Sequence, residues 1–121
     1  MLIPNLYSVI KVDKIDDSNY KIQIELDSTH AIFQGHFPAN PIMPGVCMMQ
    51  IIKELTEKIV SKKLTLSKVN NVKFVAKVNP FTDPILDLEL NILIDNELIK
   101  VKNITFFEST NALKFSGVFK S

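Results

Sequence analysis

Arginine is missing from the sequence: all 14 basic side chains are lysines. The bidentate fork that reads guanine edges is therefore unavailable. With 13 acidic residues against those lysines, no net charge recommends nucleic acid as a partner. Cysteine is almost missing as well. The single Cys47 cannot form an internal disulfide, so nothing requires an oxidising compartment. No uninterrupted apolar run approaches the ~18 residues of a membrane span. The opening stretch MLIPNLYSVIKVD lacks the basic n-region and long apolar h-region of a signal peptide. No Cys/His set has zinc spacing, no glycine-rich phosphate loop occurs and no serine elbow is present. Neither a metal nor a cofactor is expected. What is present is ordinary for a folded chain: 121 residues, 46% hydrophobic and 22% charged. Such a chain buries about two-thirds of its unfolded surface without staples. The expectation is one cytoplasmic domain spanning residues 1–121.

The hydrophobic pattern separates strands from one helix. Tyr20–Leu26 and Leu86–Ile92 alternate strictly between apolar and polar, as strands with one buried face do. Phe74, Ala76 and Val78 predict a third, less regular strand. Ile99 and Val101 share one phase while Ile104 and Phe106 share the other, which predicts a bulge near Lys102–Asn103. Asn111–Phe119 reads as a final strand, and Asp16–Asn19, Asp95–Asn96 and Glu108–Asn111 supply turn chemistry. A helix is predicted from about Pro44, at its first position, to Lys62. Between Gly45 and Ile52 its only polar side chain is Gln50, so the first two turns should be surrounded by protein. A buried helix beside an antiparallel sheet is an α+β arrangement.

Chemistry concentrates between Phe33 and Val46, where fourteen residues hold three prolines and two glycines. This stretch places one imidazole, His36, just before a helix N-terminus whose first N–H groups have no internal partner. Those N–H groups, near Gly45 and Val46, can polarise a carbonyl oxygen and receive developing negative charge. Gly45 has no side chain to hold a ligand away. A base facing such a site suits proton abstraction next to a carbonyl.

The run Gly35-His36-Phe37-Pro38-x-x-Pro41-x-x-Pro44-Gly45-Val46 resembles the signature of the bacterial β-hydroxyacyl-acyl-carrier-protein dehydratases of the hot-dog fold. Val72-Lys73-Phe74 followed by Val78-Asn79-Pro80 resembles a strand of that family entering a proline-containing loop. The resemblance implies a long central helix wrapped by a curved antiparallel sheet, and a dimer with two active sites at its interface. It implies a substrate carried as a thioester on a phosphopantetheine arm of an acyl carrier protein. By the same resemblance His36 is the catalytic histidine, and Gly45, followed by Val46, binds the thioester carbonyl.

The helix departs from the family pattern. Four residues after the Val of Pro-Gly-Val the family carries an acid, and this chain has Gln50. One turn later, where the family usually has Gln, it has Glu54. Positions i and i+4 are neighbours, so the two groups are exchanged along one face. The proton for a departing hydroxyl would come from Glu54, from water held by Gln50, or from His36 returning the one it took. Glu54 also has a structural alternative, an i,i+4 pair with Lys58, and Gln50 a buried amide contact. Cys47, Met43, Met48 and Met49 suit core packing, and His30 suits a bond to backbone near the loop.

The function expected first is dehydration of a 3-hydroxyacyl thioester to the enoyl thioester in fatty acid or polyene-type lipid biosynthesis. An acyl-thioester hydrolase and a non-catalytic acyl-binding subunit are the alternatives. From Lys53 to Lys77 seven lysines face two glutamates, and from Asp83 to Glu97 five acids stand without a base. One reading makes these two solvated faces of opposite sign; the other makes the first a basic collar that docks an acidic partner such as a carrier protein. A homodimer or higher assembly is expected, or a heterodimer with a homologue.

Overall fold

In a computed structural model, residues 5–34 and 42–121 are described. Strands β1 (Tyr7–Lys14) and β2 (Asn19–Leu26) precede a single helical turn, α1 (Ala31–Gln34), and the main helix α2 (Gly45–Val60). Four more strands follow: β3 (Thr65–Phe74), β4 (Ile85–Asp95), β5 (Leu98–Phe107) and β6 (Thr110–Lys120). They form one antiparallel sheet in the order β1-β2-β4-β5-β6-β3. This is the expected α+β order of two strands, a helix and four strands.

Alternation decides which face each strand buries. In β2 and β4, Ile22, Ile24, Leu26, Leu86, Leu88, Leu90 and Ile92 point inward and are buried. They pack with Cys47, Met48, Ile51, Ile52 and Leu55 of α2 in one core. The turns use the expected residues. The Asp16 carboxylate accepts the N–H groups of Ser18 and Asn19, both at 2.9 Å, closing the β1–β2 turn. Asn96 and Glu108 take left-handed backbone at φ 57 and 53, at the β4–β5 and β5–β6 turns.

Five details differ from the sequence-based expectations. Pro44 stands as the N-cap, extended at φ −62 and ψ 141, and the first helical residue is Gly45. The helix ends at Val60 because Ser61 adopts left-handed backbone and donates its N–H to the Glu57 carbonyl. No bulge occurs at Lys102–Asn103. The inward phase of Ile99 and Val101 continues through Asn103 and Thr105, both buried, and the register shift falls later, at Thr105/Phe106. These polar groups are tolerated inside because they are satisfied. Thr105 Oγ1 donates to Asn103 Oδ1 at 2.9 Å, and Asn103 Nδ2 donates to the Glu89 carbonyl at 3.1 Å.

The third strand lies earlier than the Phe74–Val78 alternation indicates, ending where that pattern begins. Residues 75–78 instead bond individually: Val75 and Ala76 N–H to the Ala112 carbonyl, and the Val78 carbonyl to Met43 N–H. Nor is the start of α2 enclosed by its own chain. Val46 is 69% exposed, and nearby Phe74 and Val75 are exposed too.

Candidate active site

The first turn of α2 borders a cavity through Gly45 and Met48. The N–H groups of Cys47 and Met48 are taken by the Pro44 carbonyl at 3.0 and 3.2 Å. Those of Gly45 and Val46 precede them at the positive end of a 16-residue helix, whose dipole favours negative charge there. Beside Gly45 lies a cavity of about 410 Å³, lined by Met43, Met48, Phe74, Ala76 and Val78 among others. Its walls are mostly apolar, and its two methionines can reshape around a flexible chain. Gly45 and Phe74 are in close contact. A Cβ there would stand 2.5 Å from Phe74 Cζ, so the phenyl ring rests directly on the glycine.

A second cluster forms two turns along the helix. Gln50 Nε2 donates to Glu54 Oε2 at 2.9 Å, and the Tyr7 hydroxyl of β1 donates to Glu54 Oε1 at 2.9 Å. Gln50 and Glu54 are therefore in direct contact, as their i,i+4 spacing allows. Glu54 does not pair with Lys58: among the described residues the ion pairs are Lys11–Asp13, Lys14–Asp17 and Lys100–Asp95. Burial and the Glu54 carboxylate beside it push the Tyr7 phenol well above its ordinary value. Tyr7 was not legible as a site residue, because its partner lies 47 positions away.

A phenol of ordinary value 10.0 in the unfolded chain and a higher one in the fold stabilises the fold fully below pH 10. That contribution is lost as pH rises through the folded value. Tyr7→Phe is therefore expected to flatten the alkaline fall in stability above pH 10, in urea titrations at stepped pH against the parent protein.

The remaining candidates separate. His36 falls in 35–41, outside the described residues. His30 Nδ1 accepts the Ile32 N–H at 3.1 Å, the backbone contact expected of it. Cys47 is 1% exposed and burial raises its thiol pKa, so it packs as core. Met43 and Met48 are buried in the core and also line the cavity, while Met49 packs at its margin. Successive helical residues turn by about 100°, which places Gly45 and Gln50 about 140° apart around the axis. Val46, Gln50 and Glu54 share one face; Gly45 and Met48 front the cavity on another. No helix among the described residues is long and apolar enough to cross a membrane, and none of them cluster as metal ligands.

A family model described as ApeI dehydratase, ApeI-like, matches residues 12–102. The chain belongs to the ApeI-like dehydratase family. Among relatives, the 3-hydroxyacyl-[acyl-carrier-protein] dehydratase FabZ of Lactobacillus helveticus is 36% identical over 90 residues, 65% of this chain and 61% of that one. The FabZ of Clostridium acetobutylicum is 33% identical over 115 residues, 84% of this chain and 74% of that one. The chain thus spans 61% of the length of the first of these relatives. Solved structures agree on the hot-dog fold. The dehydratase heterocomplex ApeI:P from Xenorhabdus doucetiae superposes with a TM-score of 0.77 at 22% identity, covering 94% of this chain and 97% of that one. A virulence protein of Campylobacter jejuni gives 0.72 at 15% identity, covering 99% and 87%. In this ApeI-like chain, Gly45 stands at the helix start and Gln50 and Glu54 follow on another face of α2.

Proposed function

We propose that this protein dehydrates a 3-hydroxyacyl thioester, carried on acyl carrier protein, to the trans-2-enoyl thioester in fatty acid or polyene-type lipid biosynthesis. The observation that carries the proposal is the cavity at Gly45. It sets Gly45, the first residue of a helix, in the wall of an apolar chamber that Met43 and Met48 also line. The Gly45 N–H, with Val46 next to it, receives the thioester carbonyl and stabilises the enolate-like oxygen as charge develops. His36 takes the proton from the carbon next to that carbonyl. The bond from the β-carbon to its hydroxyl breaks, and the hydroxyl leaves as water with a proton delivered on the Gln50 side of the site. Membership in a dehydratase family and two FabZ relatives support this chemistry over hydrolysis. Incubating the purified protein with an enoyl thioester on carrier protein tests it. Loss of the conjugated enoyl absorbance without thiol release is expected; thiol release without that loss would mean a thioesterase.

We also propose that the working unit is a dimer with composite sites. Gly45 and Gln50 lie too far apart around α2 to meet over one substrate, so the Gln50 face of one copy completes the Gly45 cavity of the other. The edge strand β3 supports this, since among the described residues it pairs with β6 alone and exposes Leu66, Val69 and Phe74. Pairing with a homologue serves the same geometry, and the Xenorhabdus doucetiae neighbour is itself described as a heterocomplex.

The carrier protein docks on the lysine collar. Lys58, Lys62, Lys63, Lys68, Lys73 and Lys77 are all exposed, and no ion pair among the described residues uses them. Lys62→Glu combined with Lys63→Glu is expected to raise KM for carrier-bound substrate several-fold while sparing a small thioester analogue. The parent's KM should rise with salt as the Debye length shrinks to about 8 Å. Unchanged steady-state kinetics on carrier-bound substrate would argue against this face.

A further inference from the structure

Gln50 sits where the family signature places an acid, and an amide cannot protonate a leaving hydroxyl. The Tyr7–Glu54–Gln50 chain shows what it does instead. A carboxylate only accepts hydrogen bonds, so the side of the Gln50 amide facing Glu54 must be its NH₂ group, as the 2.9 Å contact to Oε2 has it. The other carboxylate oxygen is held by the Tyr7 hydroxyl, at 2.9 Å, from a different element of the fold. Both oxygens of Glu54 are thereby occupied, its rotamer is tied to β1, and the Gln50 amide is fixed with one orientation. The donation to Glu54 is the side-chain hydrogen bond of Gln50 among the described residues. Its carbonyl oxygen is turned from the carboxylate and remains able to accept.

We propose that Tyr7 and Glu54 are positioning residues that lock Gln50 with its carbonyl oxygen toward the substrate, as a hydrogen-bond acceptor for the β-hydroxyl. This rests on the dehydratase reading and extends it. With Gln50 as acceptor, the β-hydroxyl is held by donating its hydrogen to Oε1. The proton that turns the departing hydroxide into water is then the one His36 removed from the neighbouring carbon. One C–H bond and one C–O bond break, a C=C bond and one water form, and His36 ends neutral as it began. Glu54 gives up no proton in this scheme. Its contribution is orientation, and misplacing a reacting group by about 1 Å costs on the order of 10²-fold.

The roles of acid and of orienter are separated by conservative replacement. Glu54→Gln loses the ionisable proton but can still accept from Gln50 Nε2 through its carbonyl and donate its own amide to the Tyr7 oxygen. Glu54→Leu can do neither. Expected is a kcat for Glu54→Gln within several-fold of the parent. Glu54→Leu should fall by about 10²-fold, with KM little changed, and Tyr7→Phe should lie between them. A Glu54→Gln protein as inactive as Glu54→Leu would overturn the proposal and make Glu54 the acid. A readout without turnover keeps the proposal apart from the dehydratase reading. In the ¹H–¹⁵N spectrum of the intact protein, the two side-chain amide protons of Gln50, identified by their loss in Gln50→Glu, should be widely separated. They should collapse toward free-amide positions in Glu54→Leu and move in Tyr7→Phe. Free-amide shifts in the parent protein would overturn the locked amide even if dehydration is found. If the amide is locked and no dehydration occurs, the dehydratase reading fails and the positioning of a substrate hydroxyl fails with it.

Discussion

His36→Ala is expected to remove enoyl-thioester hydration almost entirely, by 10²- to 10⁴-fold or more, the usual weight of a positioned general acid–base. An imidazole titrates near 6.5 and is the one side chain on the Phe33–Val46 stretch able to take and return a proton at neutral pH. The parent's kcat/KM should accordingly rise with pH through the range where that imidazole loses its proton. His30 provides the internal comparison. Its Nδ1 is engaged by the Ile32 N–H, and its ring meets Phe33 edge-on with centroids 6.5 Å apart. His30→Ala should leave turnover within a few-fold and act mainly on stability. Steady-state rates on one enoyl substrate, with circular dichroism of each variant, check both. A fully active His36→Ala protein would defeat the mechanism.

Breaking the β3 edge should have the other large effect. Val69 and Leu66 are exposed on a strand whose outer side pairs with nothing among the described residues. Leu66→Lys with Val69→Lys places charges there without entering the core. The double variant is expected to stay folded, to run at half the parent's mass by light scattering at micromolar concentration, and to lose most of its activity. The activity loss follows because each Gly45 cavity would lack the Gln50 face of a second copy. A parent protein that is strictly monomeric and fully active would contradict the composite site.

Much of this arrangement can be read from the residues alone, where local pattern and burial agree. β2 and β4 alternate cleanly because one face of each lies on α2, and the turn residues Asp16, Asn96 and Glu108 mark the hairpins. β3 is obscure for a physical reason. Leu66, Val69 and Val72 fall three apart, because register shifts at Leu66/Lys68 and Val69/Asn71 break the two-residue period, and both faces of the strand are exposed. Asn103 and Thr105 hide the phase of β5 because each satisfies the other inside the core. The helix start and the Gln50–Glu54 pair are visible in the sequence, since both depend on residues a few positions apart. Tyr7 is not, because only the folded sheet carries β1 to the third turn of α2.

The decisive measurement is the mass of an enoyl-phosphopantetheinyl acyl carrier protein after incubation with the purified protein. Gain of one water on the intact carrier, reversed when the 3-hydroxyacyl form is supplied and absent with His36→Ala, is the expected result. An unchanged carrier, or one stripped to its free thiol, would contradict dehydration as the activity of this chain.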